Sequence, residues 1–232
     1  MARVEFWGHA AFKIVSPQGR IILIDPWISG NELCPVKVSE VKDADLILVT
    51  HDHFDHIGED IPALTQQTGA IVIGQPEVMR LLGDQGVKDD NLLNGGFGMN
   101  IGGTVEVKGI KVTMTQALHT AGAGAPCGYI IKLEDGYTIY HAGDTGIFYG
   151  MKLLGEMYNI DLALLPIGSN FVMDPYQAAT ALTLLKPRTV IPMHYKTFPI
   201  LVQDTAQFEE LAAQKAPQVK VEVISPGEVY NR

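Results

Sequence analysis

The feature that most constrains this chain is the run from His51 to His56, HDHFDH, directly after a strand predicted at 45–50. Imidazole and carboxylate groups together suit zinc, iron or manganese, and a short loop after a strand can turn alternate side chains toward one point. With 7 histidines in 232 residues, a His-x-His-x-Asp-His pattern arises by chance with a probability of about four in ten thousand. The alternative is a solvated polar loop that is rich in histidine. The run therefore predicts a metal site at the end of a strand.

Three further candidate ligands stand alone, each just beyond the C-terminal end of a predicted strand. They are His119 after 111–116, Asp144 after 138–141 and His194 after 189–192. A lone histidine is more often an ordinary core or surface residue, but these positions share the strand-end placement of the cluster. The pattern predicts that all of them converge on one edge of the fold.

The composition indicates a globular protein without a nucleic-acid or membrane partner. Hydrophobic residues make up 47% of the chain and the net charge is -9, which disfavours a long phosphate-backbone footprint. The sequence has neither a signal-peptide pattern nor 18 consecutive apolar residues. Cys34 and Cys127 lack disulfide-framework or thiolate-zinc spacing. We expect a cytoplasmic protein with a small-molecule substrate, and the sequence leaves a homo-oligomer open.

The order of predicted elements favours a mixed α/β (α+β) architecture. Four strands come first, and later strands are interspersed with helices, of which the one at 175–185 is the longest. The last predicted strand covers 219–224. Because this order is neither strictly alternating nor segregated, it predicts two mixed β-sheets packed face to face with helices outside. No linker divides the chain, so we expect one domain spanning residues 1–232.

The motifs together resemble the metallo-β-lactamase superfamily across nearly the whole chain. The resemblance rests on the Thr50–His56 run, His119, the Gly-Asp-Thr segment around Asp144, and His194. Three other segments, FWGHAAF from Phe6, LIDPW from Leu23 and IPMHYKTFP from Ile191, are similar to small metal-dependent hydrolases related to ascorbate-6-phosphate lactonase. This resemblance implies a four-layer αββα sandwich with a two-metal site at the edge of the sheets.

The resemblance also implies an assignment of ligands. His51, His53 and His119 would hold the first metal, and Asp55, His56 and His194 would hold the second. Asp144 would bridge the two ions. The true β-lactamases commonly carry a cysteine where Asp144 stands, so the aspartate favours the hydrolase branches over an antibiotic-degrading enzyme.

The chemistry of such a site predicts a hydrolase. Two divalent ions roughly 3.5 to 4 Å apart can share a water, lower its pKa to about 7 and polarise a substrate oxygen, so that a bridging hydroxide attacks. Zinc is favoured, with manganese or iron as alternatives. The expected substrate is an ester, lactone, thioester or phosphodiester of a small molecule. We expect catalytic roles for Asp144, Asp55 and His9, the last as a proton donor to the leaving group.

Other residues are candidates for supporting roles. Asp25 and Thr145 could orient the ligands, since ligating histidines usually donate their free N–H to a carboxylate or carbonyl. His141 and Lys196 could contact the substrate, the lysine through a phosphate or carboxylate. The apolar wall is expected to include Phe171, Met173 and Trp27.

Two other functions remain open at this point. A mononuclear iron oxygenase of the same superfamily can share the His-x-His-x-Asp-His pattern, and one iron per chain would favour it. A non-catalytic binding protein could keep the fold, but such proteins usually lose ligands and none is missing here.

Overall fold

The computed structural model describes residues 1–232 as two mixed sheets with five helices. The first sheet has six strands in the order β13-β1-β2-β3-β4-β5. These strands are β1 (Arg3–Phe6), β2 (Phe12–Val15), β3 (Ile21–Ile24), β4 (Leu46–Leu48), β5 (Ile71–Ile73) and β13 (Val229–Asn231).

The second sheet has seven strands in the order β12-β11-β10-β9-β8-β7-β6. These strands are β6 (Thr104–Val107), β7 (Ile110–Gln116), β8 (Cys127–Lys132), β9 (Thr138–His141), β10 (Leu162–Pro166), β11 (Thr189–Met193) and β12 (Lys220–Val221). The helices are α1 (Ile61–Thr68), α2 (Pro76–Asp84), α3 (Gly150–Met157), α4 (Pro175–Leu185) and α5 (Ala206–Lys215). None of them is long and apolar enough to cross a membrane.

Three apolar clusters separate the four layers. The largest lies between the sheets and joins residues such as Phe12 and Leu48 of the first to Tyr129 and Leu164 of the second. A second cluster packs α3, α4 and α5 on the outer face of the second sheet, and a third packs α1 and α2 on the outer face of the first. The result is the predicted αββα sandwich.

Strand β4 illustrates why the central strands are apolar throughout. It pairs in parallel with β3 and β5, and its three residues are fully buried. Leu46 and Leu48 face the core between the sheets, whereas Ile47 faces the helices. A parallel strand covered on both faces needs continuous rather than alternating hydrophobicity.

The predicted elements agree with the structure except at the C-terminus. The strand expected at 219–224 is reduced to Lys220–Val221, and β13 is an additional strand. After β12 the chain leaves the second sheet and crosses to the first, where β13 pairs antiparallel with β1. Because β13 has three residues and is largely exposed, it carries no hydrophobic pattern that reveals it in the sequence.

The strands that precede the candidate ligands all run in one direction. In the first sheet, β3 is parallel to β4, and β1 runs the same way because it is antiparallel to β2. In the second, β9, β10 and β11 are parallel, and β7 runs with them. We call the edge where these strands end the site edge, and the other the opposite edge.

Two main-chain hydrogen bonds join the sheets at the site edge. The N–H of His194 donates to the carbonyl of His9 at 2.7 Å, and the N–H of Cys127 donates to the carbonyl of Thr50 at 3.1 Å. The hydroxyl of Tyr129 adds a bond of 2.6 Å to the carbonyl of Val49. The first bond holds the loop that follows β1 against the second sheet, and the other two hold the segment that follows β4.

Candidate metal centre

The loop after β4 forms a single helical turn. The N–H groups of His56 and Ile57 both donate to the carbonyl of His53 at 3.0 Å. Asp52 does not point into the site, because its Oδ1 accepts a hydrogen bond of 2.7 Å from the N–H of Gly122. Asp52 therefore points away from the candidate ligands of the run.

The first group of donor atoms consists of three imidazoles. His51 is buried, whereas His53 and His119 are half-buried. His53 Nδ1 lies 3.0 Å from His51 Nε2 and 3.3 Å from His119 Nε2. One nitrogen from each ring lies within 4.8 Å of the other two, so the three could hold a metal ion.

The second group contains one carboxylate and three imidazoles. Ligand atoms of Asp55, His56, His194 and His9 lie within 4.8 Å of one another. Both His56 and His194 are buried. The sequence predicted the first three of these residues as one ligand set, and the structure adds His9 to their surroundings.

The carboxylate of Asp144 contacts both groups. Its Oδ2 lies 3.6 Å from His119 Nε2 and 3.0 Å from His194 Nε2, and its Oδ1 lies 3.3 Å from His56 Nε2. It also forms a third possible ligand set with His51 and His56. Asp144 therefore lies between the two groups.

Unsatisfied polar atoms at this point fit a cation. His56 Nε2 and Asp144 Oδ1 are fully buried and make no hydrogen bond. Buried polar atoms are nearly always satisfied, and imidazole nitrogens and carboxylate oxygens are the donors that zinc, manganese and iron take. The donor set therefore fits divalent metal ions.

The charges of the site favour carboxylate anions and mostly neutral rings. Burial, together with nearby His56, lowers the pKa of His51 to about 2. Burial works against ionisation of Asp144, but His194 and His56 outweigh it and hold the pKa of Asp144 well below its usual range. The pKa of His56 is raised despite burial, because Asp144 and Asp25 stabilise its charged form.

Asp25 orients the ring of His56 as the sequence suggested. Its fully buried carboxylate accepts hydrogen bonds from Thr50 N–H at 2.8 Å, from Thr50 Oγ1 at 2.6 Å and from His56 Nδ1 at 2.8 Å. This leaves His56 Nε2 facing Asp144. Thr145 acts at a different place: its hydroxyl accepts from the N–H of Leu118 at 2.9 Å and so holds the segment before His119.

Three residues of the site have left-handed backbone conformations. His9, Asp25 and His194 have φ values of 57°, 43° and 56°. Such conformations in residues other than glycine cost about 1–3 kcal/mol each and cluster at functional sites. Beside His194 the chain requires Gly168, because a Cβ there would collide with the carbonyl oxygen of His194.

The predicted role of His9 as a proton donor to the leaving group does not fit its position. The ring is fully buried and does not line the cavity at the site. Its Nε2 lies 3.1 Å from Asp55 Oδ2 and its Nδ1 lies 3.0 Å from Thr197 Oγ1. Burial and the neighbouring His194 lower the pKa of His9 to about 4, so a neutral ring donates to the Asp55 carboxylate. His9 therefore holds Asp55 or joins the second group of ligands.

Two predicted substrate residues lie outside the cavity. His141 is fully buried, and its ring is engaged by the carbonyl of Ala10 at 3.0 Å and the N–H of Gly143 at 3.1 Å. Lys196 is exposed and lines a separate surface pocket with Tyr195 and other residues. Its backbone is left-handed, with a φ of 66°. Neither residue is positioned to touch the substrate.

The cavity at the site has a volume of about 540 Å³. Phe171 lines it as predicted, whereas Trp27 and Met173 lie buried outside the lining. The full lining is His53, Phe54, Asp55, His119, Thr120, Asp144, Phe171, His194, Phe198 and Ile200. Sequence reasoning missed Phe54, Thr120, Phe198 and Ile200. The first three lie within four residues of candidate ligands, which is the one signal that could have identified them.

Comparisons with known proteins agree with this geometry. The beta-lactamase superfamily domain matches residues 20–195. A UPF0173 metal-dependent hydrolase of Nitratidesulfovibrio vulgaris is 48% identical over 229 residues, covering 97% of this chain and 93% of the relative. The structure of Igni18, a metallo hydrolase from Ignicoccus hospitalis, is 36% identical with a TM-score of 0.87, covering 100% of this chain and 99% of that one.

A more distant structure agrees on the fold alone. The metallo-beta-lactamase fold protein YhfI from Bacillus subtilis is 13% identical with a TM-score of 0.76, and the match covers 100% of both chains. The predicted superfamily and the predicted fold are thus confirmed. The chain belongs to the beta-lactamase superfamily as a metal-dependent hydrolase of the UPF0173 family.

Proposed function

We propose that this enzyme uses two metal ions to hydrolyse an ester, lactone or phosphodiester of a small molecule. The observation that carries the proposal is the position of Asp144, whose carboxylate contacts His119 of one group and His56 and His194 of the other. A carboxylate shared between two sets of imidazoles is suited to bridge two cations.

The ligand sets follow from the grouping of donor atoms. His51, His53 and His119 would hold one ion, and Asp55, His56 and His194 would hold the other. Asp144 would be common to both, because its carboxylate contacts His119, His56 and His194. Zinc suits three imidazoles, and the carboxylates also allow manganese or iron. When bound, two such ions supply an activated water and polarise the substrate oxygen.

The protein's own residues prepare the site for this chemistry. Asp144 stays ionised because His194 and His56 hold its pKa well below the usual range, so it remains an anion that can accept hydrogen bonds at neutral pH. His9 holds Asp55 through its Nε2–H, and Asp25 fixes the orientation of His56. Pre-oriented groups of this kind need no rearrangement as charge develops in the transition state.

A metal-reconstitution experiment tests the proposal. The chain is stripped with a chelator and reloaded with zinc, manganese or iron, and metal per chain and turnover of esters, lactones and phosphodiesters are measured. We expect two ions per chain and turnover that depends on both. Asp144→Asn should lose activity, whereas Asp84→Asn, at an exposed position at the end of α2, should not.

Two outcomes would contradict the proposal. A fully loaded protein with one ion per chain and normal turnover would exclude the dinuclear site. One iron per chain with oxygen-dependent turnover would instead support the oxygenase alternative.

A further inference from the structure

Large apolar side chains surround the mouth of the cavity and are exposed to solvent. Phe54 is 67% exposed, Phe171 is 54% exposed and Ile200 is 60% exposed, and Phe198 is half-buried beside them. They come from three separate loops, yet all four line the same cavity. We call them the apolar rim. Clustered exposed apolar side chains beside polar groups typically mark a binding site.

The rim is supported from behind by a buried aromatic ring. Trp27 stacks on Phe198 with ring centroids 6.0 Å apart and meets Phe54 edge-on at 5.9 Å. Since Trp27 is buried, it limits inward movement of both rings. One side of the cavity is therefore a continuous aromatic wall.

Hydrogen bonds fix the loops that carry the other side of the rim. The side-chain amide of Asn170 donates to the carbonyl of Ile200 at 2.7 Å, and the N–H of Val202 donates to the carbonyl of Gly168 at 3.0 Å. Ser169 and Asn170, directly before Phe171, have left-handed φ values of 64° and 48°. Phe171 is thus placed at the cavity by a strained backbone.

The cavity offers no fixed cation to a charged substituent. None of the ten lining residues is lysine or arginine. The nearest such residue in sequence, Lys196, lines a different pocket. A carboxylate or phosphate on the part of the substrate that faces the rim would lose hydration without gaining a partner.

We infer that the substrate is an uncharged ester or lactone whose acyl or aryl group is apolar and packs against the rim. This inference rests on the proposed function, because the reacting bond must lie at the histidines and aspartates. In the reaction, the oxygen of water bonds to the acyl carbon and the acyl–oxygen bond breaks. The alcohol oxygen takes one proton, leaving as a separate alcohol from an ester or staying on the ring-opened hydroxy acid from a lactone, and the acid group releases the other proton to become a carboxylate. A cavity of about 540 Å³ is of the size that holds such molecules.

A series of nitrophenyl esters tests this inference. Acetate, butyrate and octanoate esters are compared with the half-ester of suberic acid, which has the length of octanoate and a terminal carboxylate. Since burial of one methylene group contributes roughly fourfold in affinity, we expect kcat/KM to rise at least tenfold from butyrate to octanoate. The terminal carboxylate should remove most of that gain.

Variants of the apolar rim test whether the rim causes the rise in kcat/KM with chain length. Phe171→Ala and Phe198→Ala should each reduce the preference for octanoate over acetate at least fivefold, while metal content changes little. Phe97→Ala is the matched control, because Phe97 is 79% exposed and lines another pocket. It should leave the preference unchanged.

A binding measurement separates failure of this inference from failure of the proposed function. Octanamide and acetamide, which are uncharged, are titrated calorimetrically into the metal-loaded protein. Tighter binding of octanamide that Phe171→Ala abolishes supports the apolar rim even if no ester is cleaved. Turnover without chain-length dependence, or a preference for the suberate half-ester, overturns it. If Phe171→Ala instead changes the mass of the protein in solution, the rim is an interface between copies of this chain and the inference is wrong.

Discussion

Carboxylates at the opposite edge of the sheets are paired with arginine and lysine, whereas those at the site edge face histidines. Asp45 directly precedes β4 at the opposite edge, where its Oδ1 lies 3.1 Å from Arg20 and 3.2 Å from Lys108. Asp161 occupies the same place before β10, 3.5 Å from Arg188. At the site edge, Asp25 and Asp144 are fully buried and their charged partners are histidines.

This difference separates stabilising from functional carboxylates. At the opposite edge each aspartate also accepts a main-chain hydrogen bond from the neighbouring strand, from Ile21 to Asp45 and from Thr138 to Asp161. Permanent cations and main-chain donors satisfy these groups without a ligand. A histidine can lose its proton and bind a metal ion through the freed nitrogen, so the groups at the site edge are suited to bind cations.

The largest expected effect is that of Asp144→Ala. The change removes the one carboxylate shared by both ligand groups, and loss of several kcal/mol of transition-state stabilisation corresponds to roughly a thousandfold or more in turnover. Metal content should fall at both groups. Mass spectrometry of bound metal together with initial rates measures this. Near-normal turnover in a metal-replete sample would refute the shared role.

Replacement of Asp25 by asparagine should mainly affect the second group. Loss of the charged acceptor for His56 Nδ1 should weaken metal binding there about 10- to 100-fold, as is usual for partners of ligating histidines. Competition with a chromophoric chelator measures the affinity, with Asp84→Asn as the control. Unchanged affinity would mean that Asp25 supports only the fold through Thr50.

Asp45→Asn should affect stability and not activity. Burial raises the pKa of Asp45, but the Ile21 N–H, Lys108 and Arg20 outweigh it, so the pKa in the folded protein is lowered. A lowered carboxyl pKa stabilises the fold above the unfolded value of about 3.9, and the contribution disappears as pH falls through the folded value.

We therefore expect Asp45→Asn to cost about 1–2 kcal/mol at pH 7, after allowance for solvent screening of the two ion pairs. The difference in unfolding free energy between Asp45→Asn and the parent chain should vanish once the pH falls below the pKa of Asp45 in the folded protein. Urea unfolding at neutral and acidic pH measures it. A cost that is independent of pH would show that the charge of Asp45 does not matter.

The smallest effect is expected for Asp161→Asn. Its partner Arg188 is 81% exposed at the side chain, and the asparagine oxygen can still accept from the N–H of Thr138. The expected cost is below about 1 kcal/mol, measured by the same unfolding experiment. A cost as large as that of Asp45→Asn would remove the distinction between the two positions.

The sequence predicts the candidate ligands better than it predicts their surroundings. His51 to His56 are six consecutive residues, so their spacing is local, and His119, Asp144 and His194 follow from strand ends. The direction of the Lys196 side chain depends on a left-handed backbone conformation, and that of the His141 side chain depends on a contact with Ala10. Neither feature has a local sequence pattern. The rim residue Ile200 approaches the site through Asn170, 30 residues away, and such pairings appear only in three dimensions.

The bonds between the sheets, from His194 to His9 and from Cys127 to Thr50, have a consequence for how the enzyme matures. They join residues far apart in the chain, and contacts of this kind form late in folding. Before the two sheets pack together, the only candidate ligands that lie close to one another are those in the His51–His56 run. Cation binding is thereby coupled to completion of the whole sandwich, and a bound ion would slow amide hydrogen exchange in both sheets at once.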